Sequence, residues 1–358
     1  YGFFSGAYGY LTVFLLMLFF GGLILDKMGV RFTGIMSTCL MFVGCLMKWW
    51  AVSTDFGGAM LFGYNEQVVM AALGFAIFGV GAEITGITVT KVIAKWFTGH
   101  EMALAMGLQV AMARIGTAAA LACSLPIVKA TGNVSSSVLL GAALLCIGFL
   151  SFLVYNVMDR RLDATIPAEE SNEEGFQFAD LKVIFTNKGF WLITFLCLLF
   201  YSGVFPFLKF ATRLMIVKYG VGEELAGMIP AMLPFGTILL TPVFGGIYDK
   251  VGRGATLMVL GSILLTIVHI CFALPVFEAG WFAVCIMLVL GVAFSLVPSA
   301  MWPSVPKIIP MKQLGSAYAI IFYIQNIGLS MVPVLIGNVI ENSGDDYTVP
   351  MSIFAGFG

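Results

Sequence analysis

Residues 22–31 of this chain have the sequence GLILDKMGVR, and residues 245–253 repeat its pattern as GGIYDKVGR. In both copies an Asp-Lys pair, a glycine and an arginine interrupt a run of apolar residues. A second, weaker repeat aligns residues 105–116 with residues 317–328, in the same order along the chain. The two repeats together indicate that the chain consists of two related halves.

The composition is that of a helical protein that crosses a membrane many times. Of the 358 residues, 60% are hydrophobic and only 10% are charged, whereas soluble domains carry about 25% charged residues. The apolar runs are close to the roughly 20 residues that a membrane helix needs. A net charge of −1 gives no indication of nucleic-acid binding, and the spacing of the seven cysteines supports neither a disulfide framework nor a metal site. The apolar segments are 8–25, 33–53, 68–94, 102–128, 134–158, 189–217, 226–247, 254–276, 281–308 and 313–340, with a further beginning at 349.

One long hydrophilic stretch, 159–187, divides these segments. We predict an N-terminal helix bundle at 1–158, a linker at 159–187 and a C-terminal helix bundle at 188–358. Basic residues are concentrated in the loops on the side that also holds this linker, which places that side in the cytoplasm. We expect a multi-pass membrane protein, and we expect its location to be a bacterial inner (plasma) membrane.

Two opposite charges interrupt neighbouring apolar segments at similar depth. Glu83 and Arg114 each lie roughly fifteen residues from the polar break at 95–101, or about 22 Å along a helix. Both charges would then lie near the bilayer midplane, where a charge costs about 2.5 to 3.5 kcal/mol and normally faces a cavity or a partner. The pair predicts a substrate or ion site, and the alternative is an ion pair that holds two helices together.

Duplicated helical halves around a midplane site are typical of secondary transporters. The repeated G-x-x-x-D-[RK]-x-G-x-[RK] loop resembles the conserved loop of the major facilitator superfamily, and the resemblance covers essentially the whole chain. It implies an all-α membrane fold of twelve helices in two pseudo-symmetric bundles around a central cavity, with transport by alternating access. On that scheme the chain holds about ten complete helices, and we expect a fragment that lacks the first helix and most of the twelfth.

Within that superfamily, residues 81–116 and 301–329 resemble the subfamily of lysosomal dipeptide uniporters and their bacterial relatives, and Phe205-Pro206-Phe207 adds to the resemblance. In that subfamily a glutamate of the fourth helix and an arginine of the fifth hold the termini of the substrate. The resemblance places these roles on Glu83 and Arg114.

Further candidate residues fall into two groups. Four polar or aromatic side chains at similar depth are candidates for the substrate site, each with helix packing or a helix–helix hydrogen bond as the alternative. The charged residues and glycines of the repeated loop are candidates for a conformational latch, because a carboxylate at a helix end can cap a neighbouring helix and pair with an arginine. The first group is Tyr201, Trp302, Gln325 and Asn326; the second is Asp26, Lys27, Gly29, Arg31, Asp249, Lys250, Gly252 and Arg253.

The sequence predicts a secondary-active or facilitative transporter of small solutes, with dipeptides or similar zwitterions as substrates. An organic-anion exchanger of the oxalate or formate type and a non-transporting sensor are the alternatives. An enzyme is disfavoured, because no catalytic or nucleotide-binding motif is found. The predicted partners are a small-molecule substrate and the lipid bilayer, with proton coupling as a possibility and no cofactor. The need for an accessory subunit stays open.

Overall fold

The computed structural model describes residues 17–61, 63–164, 181–274, 278–343 and 346–358. This part of the chain is helical apart from a two-stranded antiparallel hairpin, in which β1 (Met60–Leu61) pairs with β2 (Tyr64–Asn65). A 3₁₀ turn at Met311–Gln313 precedes the eleventh helix. The helices are α1 Met17–Ser53, α2 Glu66–Phe97, α3 Met102–Thr131, α4 Ser135–Asp163, α5 Leu181–Thr186, α6 Lys188–Val217, α7 Glu223–Ala226, α8 Met228–Val251, α9 Gly254–Ala273, α10 Gly280–Ile308, α11 Leu314–Ser343 and α12 Thr348–Ala355.

Long apolar helices dominate the described ranges, as the hydropathy of the sequence predicts. Eight stretches are long and apolar enough to cross a membrane, with a mean hydropathy of 1.6 to 2.5. The first of them, α1, contains two helices, because Gly29 has φ 80° and ψ 171° and interrupts the helical backbone. Its second part coincides with the predicted segment 33–53, and α3 coincides with the predicted segment 102–128.

Contacts between Cα atoms divide the chain into two compact units whose segments interleave. The predicted boundary at 159–187 divides the chain into two consecutive halves. Each compact unit consists mainly of one half and also includes a short segment of the other half. The predicted boundary stays a prediction. The first unit is Tyr1–Val92, Ala120–Thr186 and Ile309–Tyr323; the second is Ile93–Ala119, Asn187–Ile308 and Ile324–Gly358.

The predicted linker begins inside a helix. Helix α4 continues to Asp163, where Arg31 forms ion pairs with the two aspartates of its last turns, Asp159 and Asp163. Residues 165–180 lie outside the described residues. The chain resumes as the short helix α5, and the side chain of Asn187 then caps α6 by accepting a hydrogen bond from the Phe190 amide.

Small residues let the helices of each unit approach closely. In the first unit, a Cβ added at Gly44 would lie 2.6 Å from the carbonyl oxygen of Gly74, so α1 and α2 touch through their backbones. In the second unit, a Cβ added at Gly107 would lie 2.9 Å from the Thr241 carbonyl oxygen of α8. Such contacts between small residues are the usual way in which membrane helices pack.

Candidate substrate site and carboxylate caps

The side chain of Arg114 lies against two aromatic rings in the second unit. Its guanidinium carbon is 5.1 Å from the ring centre of Phe205 on α6 and 5.5 Å from that of Phe294 on α10. The two rings are themselves perpendicular, with centres 5.4 Å apart and an interplanar angle of 86°. Cation–π contacts of this kind hold a guanidinium in place without occupying its N–H donors.

The donors of Arg114 are not used within its unit. Its Nε is buried without a hydrogen-bond partner, and the side chain forms no ion pair or hydrogen bond with a described residue of the second unit. Buried polar atoms are almost always paired, so an unpaired one calls for an explanation. A guanidinium fork held by aromatic rings is suited to bind a carboxylate through two parallel hydrogen bonds.

Tyr201 packs against both rings, and Trp302 packs against Tyr201. The Trp302 Nε1 donates a hydrogen bond of 3.1 Å to the Tyr201 hydroxyl, and both residues are 7% exposed. The ring centre of Tyr201 lies 5.6 Å from that of Phe205 and 5.8 Å from that of Phe294. This geometry corresponds to the helix–helix hydrogen bond considered for Tyr201, between α6 and α10. Direct contact of either residue with substrate stays a prediction.

The two polar candidates of α11 have different surroundings. Gln325 is buried, and its Oε1 accepts a hydrogen bond of 3.5 Å from the thiol of Cys197 on α6. Asn326 is half-buried, and its backbone carbonyl accepts a hydrogen bond from Ser330. Gln325 therefore joins two helices, and the substrate role of both residues stays a prediction.

Glu83 lies on α2 in the first unit and is half-buried. Close to Glu83, helix α2 is joined to α1 by a hydrogen bond of 2.9 Å that the Thr85 hydroxyl donates to the Ser37 hydroxyl. Since Arg114 belongs to the second unit, the predicted pairing of the two charges stays a prediction.

Asp26 caps the N-terminus of α11. Its two carboxylate oxygens accept hydrogen bonds from the backbone amides of Gly315, at 2.8 Å, and Ser316, at 2.6 Å. The side chain is fully buried and also forms an ion pair with Lys91 of α2. A carboxylate at a helix N-terminus satisfies amides that have no partner inside the helix and interacts favourably with the helix dipole.

Asp249 caps α3 in the same manner. Its carboxylate oxygens accept hydrogen bonds from the backbone amides of Ala103, at 3.0 Å, and Leu104, at 2.8 Å. These amides correspond to those of Gly315 and Ser316 when the alignment of the second sequence repeat is extended by two residues towards the N-terminus. Each cap therefore ties a loop of one half of the chain to a helix N-terminus of the other half.

The glycines of the two loops share a conformation that L-residues rarely adopt. Gly29 has φ 80° and Gly252 has φ 72°, so each permits a sharp change of direction three residues after the capping aspartate. The arginines differ, because Arg31 forms ion pairs, whereas the side chain of Arg253 has no ion pair or hydrogen bond in the described part of the chain. Lys27 and Lys250 are exposed. The role of both loops as a latch stays a prediction.

Comparison with known proteins identifies the family. Residues 1–333 match the model of the Major Facilitator Superfamily. The chain belongs to this superfamily. A major facilitator protein of this kind is an integral, multi-pass membrane transporter of small molecules and not an enzyme.

Several curated relatives within the superfamily carry the name lysosomal dipeptide transporter MFSD1. The bovine protein is 28% identical over 338 residues, which cover 91% of this chain and 68% of the relative. The human protein is 27% identical over 91% of this chain and 69% of its own length. The chicken protein is 30% identical over 76% of this chain and 62% of its own length. The resemblance predicted from the sequence is thus confirmed.

Solved structures confirm the major facilitator fold. The outward conformation of the transporter FucP superposes with a TM-score of 0.72 at 14% identity, covering 99% of this chain and 86% of FucP. The human organic anion transporter MFSD10 (TETRAN) gives a TM-score of 0.64 at 16% identity, covering 99% of this chain and 81% of that protein.

Sequence reasoning missed three residues that hold these sites. Lys91 lies near the end of an apolar segment and is buried in α2, where the carboxylate of Asp26 neutralises it. The sequence analysis also did not predict that Phe294 and Phe205 contact Arg114. The F-P-F motif drew notice to Phe205 as a family feature, but no pattern distinguishes Phe294 from the other 31 phenylalanines.

Proposed function

We propose that this transporter carries dipeptides or similar zwitterions by alternating access and that Arg114 binds the substrate carboxylate. The observation that carries the proposal is the guanidinium of Arg114, which contacts Phe205 and Phe294 and whose buried Nε has no hydrogen-bond partner among the described residues. The names of the MFSD1 relatives support the choice of dipeptides.

Glu83 is the proposed partner of the substrate ammonium. The two charged ends of an extended dipeptide are separated by two residue lengths, about 6–7 Å, so two side chains are needed to bind both. If the two side chains pair with each other in the empty transporter, the substrate exchanges one ion pair for two. The net gain is then modest, which suits a carrier that must release its substrate.

Uptake by the full-length protein in liposomes tests the carboxylate contact. Arg114→Lys should lose most of the transport, because an ammonium cannot form the bidentate contact that a planar guanidinium forms. Arg161→Lys, an exposed arginine at the end of α4, is the matched control and should transport normally. Full transport by Arg114→Lys would contradict the proposal.

A second comparison tests the ammonium contact. Glu83→Gln should weaken uptake of dipeptides more than uptake of N-acetylated dipeptides, which lack the ammonium. An equal loss for both substrates would assign Glu83 to proton coupling or to packing instead. The same uptake assay on the unmodified protein tests the organic-anion alternative. Better uptake of N-acetylated dipeptides and dicarboxylates than of dipeptides would favour that alternative.

The location and coupling of the transporter belong to the same proposal. A bacterial inner membrane would place the basic loops, including those of the two carboxylate caps, in the cytoplasm. Proton-coupled uptake would require a carboxyl group that changes protonation during transport, and Glu83 is the candidate. Measuring uptake with and without a pH gradient distinguishes coupled from facilitative transport.

A further inference from the structure

A groove of about 690 Å³ lies between α1 and α4 in the first unit. Four residues of each helix line it. The four residues of α4 follow the spacing i, i+3, i+4, i+7, which places them on one helix face. On α1, three of the four follow the break at Gly29 and share one face, and the fourth, Met28, directly precedes the break. The lining residues are Met28, Arg31, Phe32 and Ile35 on α1, and Leu153, Asn156, Val157 and Arg160 on α4.

The two arginines lie where the helices reach their charged ends. Arg31 is compensated, because it lies 2.9 Å from Asp163 and 3.6 Å from the buried Asp159. Arg160 is exposed and forms no ion pair or hydrogen bond with any residue that the structure describes. The groove therefore ends in one guanidinium whose charge is not neutralised, which favours an anionic ligand.

Asn156 lies deeper in the same groove and is 7% exposed. Neither its amide nitrogen nor its amide oxygen has a hydrogen-bond partner among the described residues. A surface that only faces lipid tails has no need for a buried amide, whereas a polar ligand that enters the groove can bind it after rotation about the soft Cβ–Cγ bond. Asn156 and Arg160 are separated by four residues, or about 6 Å along the helix.

We propose that this groove binds one anionic phospholipid. The phosphate contacts Arg160, the glycerol ester region lies about 6 Å deeper at Asn156, and an acyl chain follows the apolar wall formed by Phe32, Ile35 and Leu153. This order of charge, polar groups and hydrocarbon along the groove is the order in which a lipid presents them from the membrane surface inward.

A lipid fits the groove better than a soluble phosphate. Phe32 and Val157 line it and are 46% and 53% exposed, so a headgroup without a chain would leave these walls uncovered. Apolar surface is covered favourably by an acyl chain, and the basic residue adds attraction to an anionic headgroup.

Native mass spectrometry of the full-length protein tests the proposal without any transport assay. The purified protein is titrated with phosphatidylglycerol and, separately, with phosphatidylcholine, and the retained lipid is counted. Arg160→Gln should weaken retention of phosphatidylglycerol about fivefold, the factor that corresponds to roughly 1 kcal/mol for one basic residue at an anionic surface. Arg161→Gln is the matched control, because Arg161 is also exposed but does not line the groove.

A second variant tests the deeper contact. Asn156→Leu should weaken retention of both lipids, because both carry the glycerol esters. The proposal is overturned if Arg160→Gln and Arg161→Gln retain phosphatidylglycerol equally. It is also overturned if glycerol phosphate, which has no acyl chain, displaces the bound lipid at an equal concentration. Since the groove contains neither Arg114 nor Glu83, these outcomes are independent of the proposed substrate.

Discussion

Replacing Asp26 by asparagine should loosen the N-terminus of α11 far more than the equivalent change at Asp249 loosens α3. An asparagine retains one acceptor oxygen for the backbone amides, but it removes the negative charge that neutralises the buried Lys91. Removing one partner of a buried ion pair costs about 3–5 kcal/mol. We take about 3 kcal/mol, because the lysine chain can extend towards water.

The second cap has no such partner in the described part of the chain. The carboxylate of Asp249 is exposed, and the amides of Ala103 and Leu104 are its only partners among the described residues. Weakening a cap of this kind costs about 1 kcal/mol. At 1.4 kcal/mol per tenfold change, opening of the α11 cap should become about 150-fold more frequent in Asp26→Asn, and opening of the α3 cap about fivefold more frequent in Asp249→Asn.

Hydrogen–deuterium exchange of the full-length protein in nanodiscs measures both openings at the amides concerned, because exchange reports local opening equilibria. Peptides that cover Gly315 and Ser316 should exchange faster only in Asp26→Asn, and peptides that cover Ala103 only in Asp249→Asn. Asp163→Asn is the control, because it breaks a partly exposed ion pair that involves neither capping carboxylate. Equal acceleration by the two cap variants would refute the reasoning, as would unchanged exchange at α11.

Three further predictions follow from other contacts. Lys91→Met should partly restore slow exchange at α11 in the Asp26→Asn background, because it removes the buried charge left without a partner. Trp302→Phe should lower the free energy of unfolding by about 1–2 kcal/mol in a denaturation assay, since it leaves the Tyr201 hydroxyl buried without its donor. Asp346 accepts a hydrogen bond from the backbone amide at the start of α12, which lowers its pKa. Its contribution to stability is present above the unfolded pKa of about 4 and is lost as the pH falls through the lower folded pKa, so Asp346→Asn should reduce acid sensitivity in thermal unfolding below about pH 4.

Sequence patterns predicted the features that depend on local spacing. Long apolar runs predicted the helices, and the repeated loop predicted both a family and the two aspartates that cap helices. The glycine of that loop marks the break inside α1, because only its backbone conformation permits the turn.

Contacts between distant segments could not be predicted in this way. A lysine near a helix end is equally compatible with water and with a buried carboxylate, so Lys91 carries no local signal of its partner. Phe294 and Asn156 lie on helices whose composition is compatible with lipid contact, and only the packing of α10 on α6 and of α4 on α1 gives them neighbours.

The two caps share the same backbone geometry but differ in the charged residues around the aspartate. Both place an aspartate at a helix end, a glycine with positive φ after it, and two amides of a helix N-terminus against the carboxylate. The first cap adds the buried Lys91, whereas Lys307 in the second half donates its hydrogen bond to the Tyr248 hydroxyl at 2.8 Å.

A transporter that works by alternating access needs contacts that form in one state and break in another. If both caps must open, the one without a buried ion pair opens at the lower cost. We therefore expect the contact between Asp249 and α3 to break first and that between Asp26 and α11 to set the height of the barrier. The difference in exchange between the two helix N-termini in the unmodified protein measures this order, with α11 the slower, and a faster α11 would reverse it.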